Sequence, residues 1–466
     1  MRFPLFVATT LAAIALAGCL ENTNAPITPG PVNDVVNSLE GYVDPFIRNH
    51  DHAVAANHQL AFHVKQLAHD ALGGNAVKSS GAHVVDVQNG WLFVGAYGLA
   101  ADVDGGLYVF DLANPEQPKF TGHFPLPGNV GGDRSVEATD DANWVVLGTE
   151  SIDCANHVNP FGPGLFLIDV RDKANPKLAD YKPDPTGVHS VIIHRVSGTD
   201  YAYTLGGDAT SSGRNIWAID TAAGKLEPVG QVPIAHDGAA YDDPLLGKPL
   251  LYIADVTDLN VYDISEPAKP QKVGTWTPPD NKNHYVHAVS MDLIEGHRIL
   301  ALESEDWGQM TSPLWILDAT NLQAMELLAT YENPAQAPAD AGGENGPSLA
   351  FSTHNPRLEN GIIYMAHYHA GIWMLDIRTL EKAHQPQIMG FILPHDDNGG
   401  YKPGSSQAAA PLPANPACFG GFKIHELPNT MDVEVHNGIA YGADLHTGVY
   451  TVKWDPTVLP AAGHQH

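Results

Sequence analysis

The sequence predicts an all-β fold assembled from repeated four-stranded antiparallel units, and three observations carry that reading. A short apolar run recurs seven times: Gly106-Leu-Tyr-Val-Phe-Asp111, Gly164-Leu-Phe-Leu-Ile-Asp169, Asn215-Ile-Trp-Ala-Ile-Asp220, Asn260-Val-Tyr-Asp-Ile264, Pro313-Leu-Trp-Ile-Leu-Asp318, Gly371-Ile-Trp-Met-Leu-Asp376 and Gly448-Val-Tyr-Thr-Val452. The 466 residues include 45 glycines and 36 prolines, above the usual share of about 12%, which implies many turns and little helix. Apolar residues are 44% of the chain, enough to bury a core. Repeats at a spacing of roughly 50 residues point to a ring of blades, and four-stranded units around a ring leave few open sheet edges. The expected architecture is a single seven-bladed β-propeller.

One unit shows the four strands. His83-Val-Val-Asp-Val is followed by Trp91-Leu-Phe-Val-Gly-Ala-Tyr97, then by the recurring run at 106–111, then by Phe120-Thr-Gly-His-Phe124. Gly, Asn and Pro separate these runs, as turn chemistry requires. A tag, Asn114-Pro115, returns as Asn175-Pro176 and Glu266-Pro267. The seventh unit stops after three strands, so an N-terminal strand around Gly41 to Ile47 is expected to complete the ring. Leu60, Val64 and Leu67 recur at helical spacing, which predicts a helical insert over 53–72. The stretches 332–350 and 395–425, rich in Ala, Pro and Gly, read as loop insertions.

The N-terminus reads as an export signal: Met1-Arg2, an apolar run from Leu5 to Leu16, and small residues before Cys19. The run is too short to stay as a spanning helix. Leu16-Ala17-Gly18-Cys19 resembles the bacterial lipobox, which implies a lipid anchor on Cys19. Leu20 behind it implies, within that family, no retention in the inner membrane. The resulting plan is a lipoprotein signal at 1–18, a flexible tether at 19–42, a ring-closing and covering segment at 43–80, the propeller at 81–455 and a disordered tail at 456–466. An exported chain with two further cysteines suggests a Cys154–Cys418 disulfide. The chain has no Cys-x-x-Cys pair, and hence no attachment site for covalent haem.

The stretches LYVFDLANPEQPKFTG, LNVYDISEPAKPQKVG and STHNPRLENGIIYMAHYHAGIWMLDI are similar to the LVIVD-repeat family of exported bacterial propellers. The resemblance runs from about 80 to 454 and implies the fold more than any activity. The unit at 189–230 departs from it, lacking the Asn-Pro tag and carrying a Gly-Gly-Asp-Ala-Thr-Ser-Ser-Gly insertion.

With the units in register, their first strands begin at His83, Ser135, His189, His236, His287, His354 and Met431. Five of seven blades therefore start on histidine, and first strands line the central channel. The second strands, running antiparallel, end at Tyr97, Glu150, Asp208, Asp255, Glu303, His367 and Asp444. Imidazole is the commonest metal ligand among side chains, and carboxylates behind it fix its tautomer. The expected ligands are His189, His236, His287, His354 and then His83, with Glu150, Glu303, Asp255 and His367 behind them. Such a set suits Cu, Fe, Zn or Ni more than Ca or Mg, and Met431 leans towards copper. Repeated His–carboxylate pairs that merely lock each blade start would leave the same pattern, so both readings stay open. Asp102 and Asp104 are candidates for Ca²⁺, without a twelve-residue loop to support them. Of the other histidines, His50, His52, His58, His63 and His69 are expected on the surface, and His367 shares a strand face with His369.

The balance of 24 Lys and Arg against 53 Asp and Glu excludes an electrostatic grip on nucleic-acid phosphates. No Gly-x-Ser-x-Gly elbow, phosphate loop or His-Glu-x-x-His occurs. Cys154 with Glu150 and His157 offers a thiol and a base, though pairing with Cys418 accounts for it more simply. Three functions follow. The first is a surface or periplasmic lipoprotein that binds a transition metal at its channel mouth and meets a small-molecule or protein partner. The second is a metal-dependent oxidoreductase using that site. It resembles carotenoid oxygenases and selenium-binding methanethiol oxidases only in architecture and ligand type, plus the hint of Asp444-Leu-His446. The third is a metal-free adhesion or scaffold propeller.

Overall fold

The computed structural model describes residues 61–74, 80–98, 105–126, 135–150, 161–206, 215–233, 235–280, 282–306, 312–333, 352–368, 370–394, 429–445 and 447–459. Two strands come first, β1 (Ala61–Phe62) and β2 (Val64–Asp70). Blade one is β3 (Ser80–Gln88), β4 (Trp91–Gly98), β5 (Gly105–Asp111) and β6 (Lys119–Leu126). Blade two is β7 (Val136–Ala138), β8 (Trp144–Thr149), β9 (Gly164–Asp169) and β10 (Lys177–Pro183). Blade three is β11 (Ser190–Val196), β12 (Thr199–Leu205), β13 (Asn215–Asp220) and β14 (Lys225–Gln231). Blade four is β15 (Asp237–Asp243), β16 (Lys248–Ala254), β17 (Leu259–Asp263) and β18 (Gln271–Trp276). Blade five is β19 (Val286–Ile294), β20 (His297–Ser304), β21 (Leu314–Asp318) and β22 (Glu326–Tyr331). Blade six is β23 (His354–Glu359), β24 (Ile362–Ala366), β25 (Ile372–Asp376) and β26 (Gln387–Ile392). Blade seven takes β27 (Thr430–His436), β28 (Ile439–Asp444) and β29 (Gly448–Trp454), with β2 as its outermost strand. The fold is a seven-bladed propeller.

Each blade is built alike for a physical reason. The aspartate that ends the recurring apolar run folds its carboxylate over the turn to the fourth strand, accepting the N–H two residues on: Asp111 from Ala113, Asp169 from Arg171, Asp318 from Thr320 and Asp376 from Arg378. In all seven blades the pairing of third and fourth strands then slips by one residue, a bulge that steepens the twist. Glycine in the fourth strand admits the neighbouring blade: a Cβ on Gly122 would lie 2.1 Å from the Lys173 carbonyl oxygen, and one on Gly274 would lie 2.4 Å from that of Leu322. Several first hairpins turn on paired left-handed residues such as Asn89-Gly90 and Asn437-Gly438.

The apolar core is not one body. Among the described residues it consists of seven clusters, each lying between two successive blades, with one joining Tyr441 and Ala443 of blade seven to Val94 and Phe110 of blade one. Acidic side chains stitch the inner strands across the same boundaries. Asp86 accepts from Ala138 N at 2.8 Å, Glu137 from Ile193 N at 3.0 Å and Asp432 from Val85 N at 3.0 Å.

Three expectations need correction. The helix expected over 53–72 is replaced, where it is described, by strands β1 and β2 and a single 3₁₀ turn at Leu72–Gly74. The open edges of β26 and β29 supply hydrogen bonds that outweigh the helical spacing of a short segment, and Val64 is buried between blades six and seven. Ring closure comes from Val64–Asp70; residues 41–47 lie outside the described residues. The start of the expected tail is ordered, since His63 N donates to Val458 O at 2.8 Å and Asp455 N to His63 O at 2.8 Å. The α-helix among the described residues is α1 (Leu380–His384), capped by Thr379.

Candidate metal centre

The aligned blade starts converge because the pairing of first and second strands is irregular there. Register shifts fall at Ala82/Val84, Val286/Val289, His354/Arg357 and Thr430/Asp432, bulges that re-aim side chains at the rim of the channel. His189 and His236 sit one residue ahead of β11 and β15, held by backbone bonds to Leu205 O and Ala254 O. The result is a row of four rings. Centroids are 4.2 Å apart from His189 to His236, 4.7 Å from His236 to His287 and 4.7 Å from His287 to His354.

Every ring is held from outside through Nδ1. His189 Nδ1 lies 2.9 Å from Glu150 Oε1, and His287 Nδ1 lies 2.5 Å from Glu303 Oε1. His354 Nδ1 donates to the backbone carbonyl of Met431. His236 Nδ1 meets the Tyr285 hydroxyl at 2.9 Å. Carboxylate and carbonyl oxygens only accept, so the neutral rings of His189, His287 and His354 carry their proton on Nδ1 and turn the acceptor nitrogen, Nε2, inward. The tyrosine can donate or accept, so His236 can take either tautomer.

The four Nε2 atoms belong to one inner group. His189 Nε2 and His236 Nε2 are 3.2 Å apart. Glu305, just past the end of β20, brings Oε2 to 3.4 Å from His287 Nε2 and Oε1 to 3.7 Å from His354 Nε2. The Tyr368 hydroxyl donates to Glu305 Oε1. Donor atoms of His236, His287 and Glu305 lie within 4.8 Å of one another, and all three residues are buried. Behind them, Thr353 Oγ1 donates to Glu303 Oε2 at 3.3 Å. Burial pushes the Glu303 carboxyl up, against the pull of His287. A proton on His236 Nε2, an imidazolium beside Glu305 or a bound cation would each relieve the repulsion between the Nε2 lone pairs and the carboxylate.

Glu150 serves the histidine of the next blade, whereas Glu303 serves its own. Asp255 is used otherwise: it accepts from Thr257 N, Asp258 N and Asn260 Nδ2 and locks its own loop. Asp444 does the same for Asn429 N and Thr447 N. His83 is buried at the bulge of β3 and is not one of the four rings in the row. His367 is fully buried, but His354 Nδ1 is held by Met431 rather than by it. Cys19, Cys154, Cys418, Asp102, Asp104, Asp208, His369 and His446 lie outside the described residues. Sequence reasoning missed Glu305, Tyr285 and Tyr368. The Glu303-Ser-Glu305 alternation and the Tyr285-x-His287 spacing were the available signals, since alternate residues share a strand face.

The LVIVD repeat family matches this chain at residues 82–125 and 250–277, within blades one and four. Two of the seven blades thus carry LVIVD-repeat matches. No curated protein matches the chain. Among solved structures, this propeller is similar to Saccharomyces cerevisiae Sqt1 at 12% identity and TM-score 0.46, over 81% of this chain and 97% of that one. It is also similar to the Cps50 (Swd1) β-propeller domain of Myceliophteria thermophila, at 11% identity and TM-score 0.47, over 80% and 96%. A protein from Lactobacillus plantarum aligns at 9% identity and TM-score 0.42, over 63% and 80%.

Proposed function

We propose that this LVIVD-repeat propeller binds one transition-metal ion at its channel mouth through His236, His287 and Glu305, with His189 and His354 flanking them. One observation carries the reading: four imidazoles tied at Nδ1 turn Nε2 towards one another and towards a carboxylate. The spacing supports it. Ligands at about 2.0–2.1 Å from a tetrahedral ion lie about 3.3 Å apart; His287 and Glu305 are 3.4 Å apart, and the donor atoms of His236, His287 and Glu305 all lie within 4.8 Å of one another. Imidazole nitrogens with a single carboxylate suit Zn, Cu or Fe better than Ca or Mg. Glu150, Glu303 and Tyr285 would orient the rings. Because protons compete for the same lone pairs, binding weakens in acid.

Elemental analysis of protein purified without a histidine tag should find one transition metal per chain. Glu305→Gln and His236→Ala should each lose most of it while the β circular dichroism is kept. Folded variants that retain full stoichiometry would reduce the cluster to a set of blade locks.

We also take the chain to be an exported lipoprotein, on the strength of Leu16-Ala17-Gly18-Cys19 alone. Cys19→Ser should move the protein from the membrane to the soluble fraction of its host, and unchanged retention would refute the anchor.

A further inference from the structure

We infer that the seam between blades six and seven is a second binding site, one that takes a small uncharged molecule able both to donate and to accept hydrogen bonds, such as a primary amide. Four side chains on this seam hold buried polar atoms without a hydrogen-bond partner: both ring nitrogens of His367, both amide atoms of Asn355, the hydroxyl of Thr430 and the amide oxygen of Asn429. His367, Asn355 and Thr430 are each 0% exposed.

The segments that carry them are joined. His354 pairs with Ala366 inside blade six. Tyr368 and Thr430 exchange backbone bonds of 3.1 and 3.0 Å between the blades, and His354 reaches the Met431 carbonyl. An unsatisfied buried group is costly to keep, and a concentration of them calls for an explanation. Others, such as the hydroxyls of Tyr203, Tyr252 and Tyr331, belong to blades three, four and five.

The chemistry of the four groups selects the ligand class. None is charged, since burial pushes the His367 imidazole down to about 3. A cation would find no carboxylate among them and an anion no positive group. What they offer is a balance: an amide N–H₂, a hydroxyl and an imidazole N–H to give, two amide oxygens and an imidazole nitrogen to receive. The backbone is also held in a costly shape here. Asn355 has φ 41° and Tyr368 has φ 46°; such strain persists where the surrounding structure over-determines it, often at ligand sites. Tyr368 gives its hydroxyl to Glu305, so the seam adjoins the cluster of imidazoles without depending on an ion there.

The test uses acetamide as the probe, on protein stripped of metal and on protein as purified. Acetamide should raise the thermal midpoint of the wild type saturably in both. Thr430→Val, which removes one unmatched hydroxyl at nearly constant volume, and His367→Leu should start from higher midpoints and lose the acetamide response. Absence of a saturable response in the wild type would overturn the proposal. So would variants that melt below the wild type, because the groups would then be serving the fold. Running the stripped protein separates this outcome from any failure of the metal reading.

Discussion

His284 shows how a single side chain can hold two strands of the cluster in place. Its ring is buried against Trp315, with Nδ1 at 2.6 Å from Asp306 Oδ2 and Nε2 at 2.9 Å from Asp280 Oδ2. Asp306 also accepts from Tyr285 N at 2.8 Å, and Glu305 N donates to Tyr285 O at 2.9 Å. The clamp therefore fixes both the tyrosine behind His236 and the carboxylate of the cluster. Burial works against the charged imidazole, but the bonds to Asp306 and Asp280 outweigh it and hold the group above its ordinary value. A proton bound more tightly in the folded state stabilises that state fully below the unfolded value of about 6.5. The contribution is lost as pH rises through the raised folded value. In metal-free protein, the urea midpoint should fall across that range for the wild type and stay flatter for His284→Gln. Parallel profiles would show that the clamp carries no charge.

The strands explain which parts of the fold could be read in advance. The terminal aspartate of the third strand and the glycine of the fourth recur because each meets a fixed local demand, an Asx-type turn and a neighbouring backbone. Such demands leave one residue type at one spacing. Gly122→Ala should accordingly destabilise blades one and two by about 1–3 kcal/mol, measurable as a lower urea midpoint at unchanged slope; a neutral result would mean that the Lys173 turn shifts freely. The closing strand β2 left no such mark. It is held by backbone pairing to β29 and by Val64 within it, and it lacks the glycine found in β6, β14, β18 and β26. The cluster divides in the same way. Repetition in register revealed the four histidines, whereas Glu305 and Tyr285 occur once each and depend on how β20 and the approach to β19 bend.

On the scale of the whole ring, the charge acquires a structural sense. The chain has 53 acids against 24 bases, and many of these carboxylates face backbone N–H groups at turns and blade boundaries. A carboxylate is an acceptor with two oxygens, so it serves a fold whose blades present unpaired N–H groups to one another. The segment from Ala61 to Asp70 has another effect, on time. Ala61 pairs with Ile392 in blade six, and Val64 pairs with Trp454 in blade seven. These ten residues are among the earliest of the described chain to be made, and their partners are among the last. They must stay open through the synthesis of all seven blades, and closing so long a loop is slow because its entropy is spent before any contact rewards it. Once seated across two blades, the same segment acts as a latch. Among the described residues, the first strands and the last blades then hold one another, so unravelling of the ring from either side has to begin by lifting that latch.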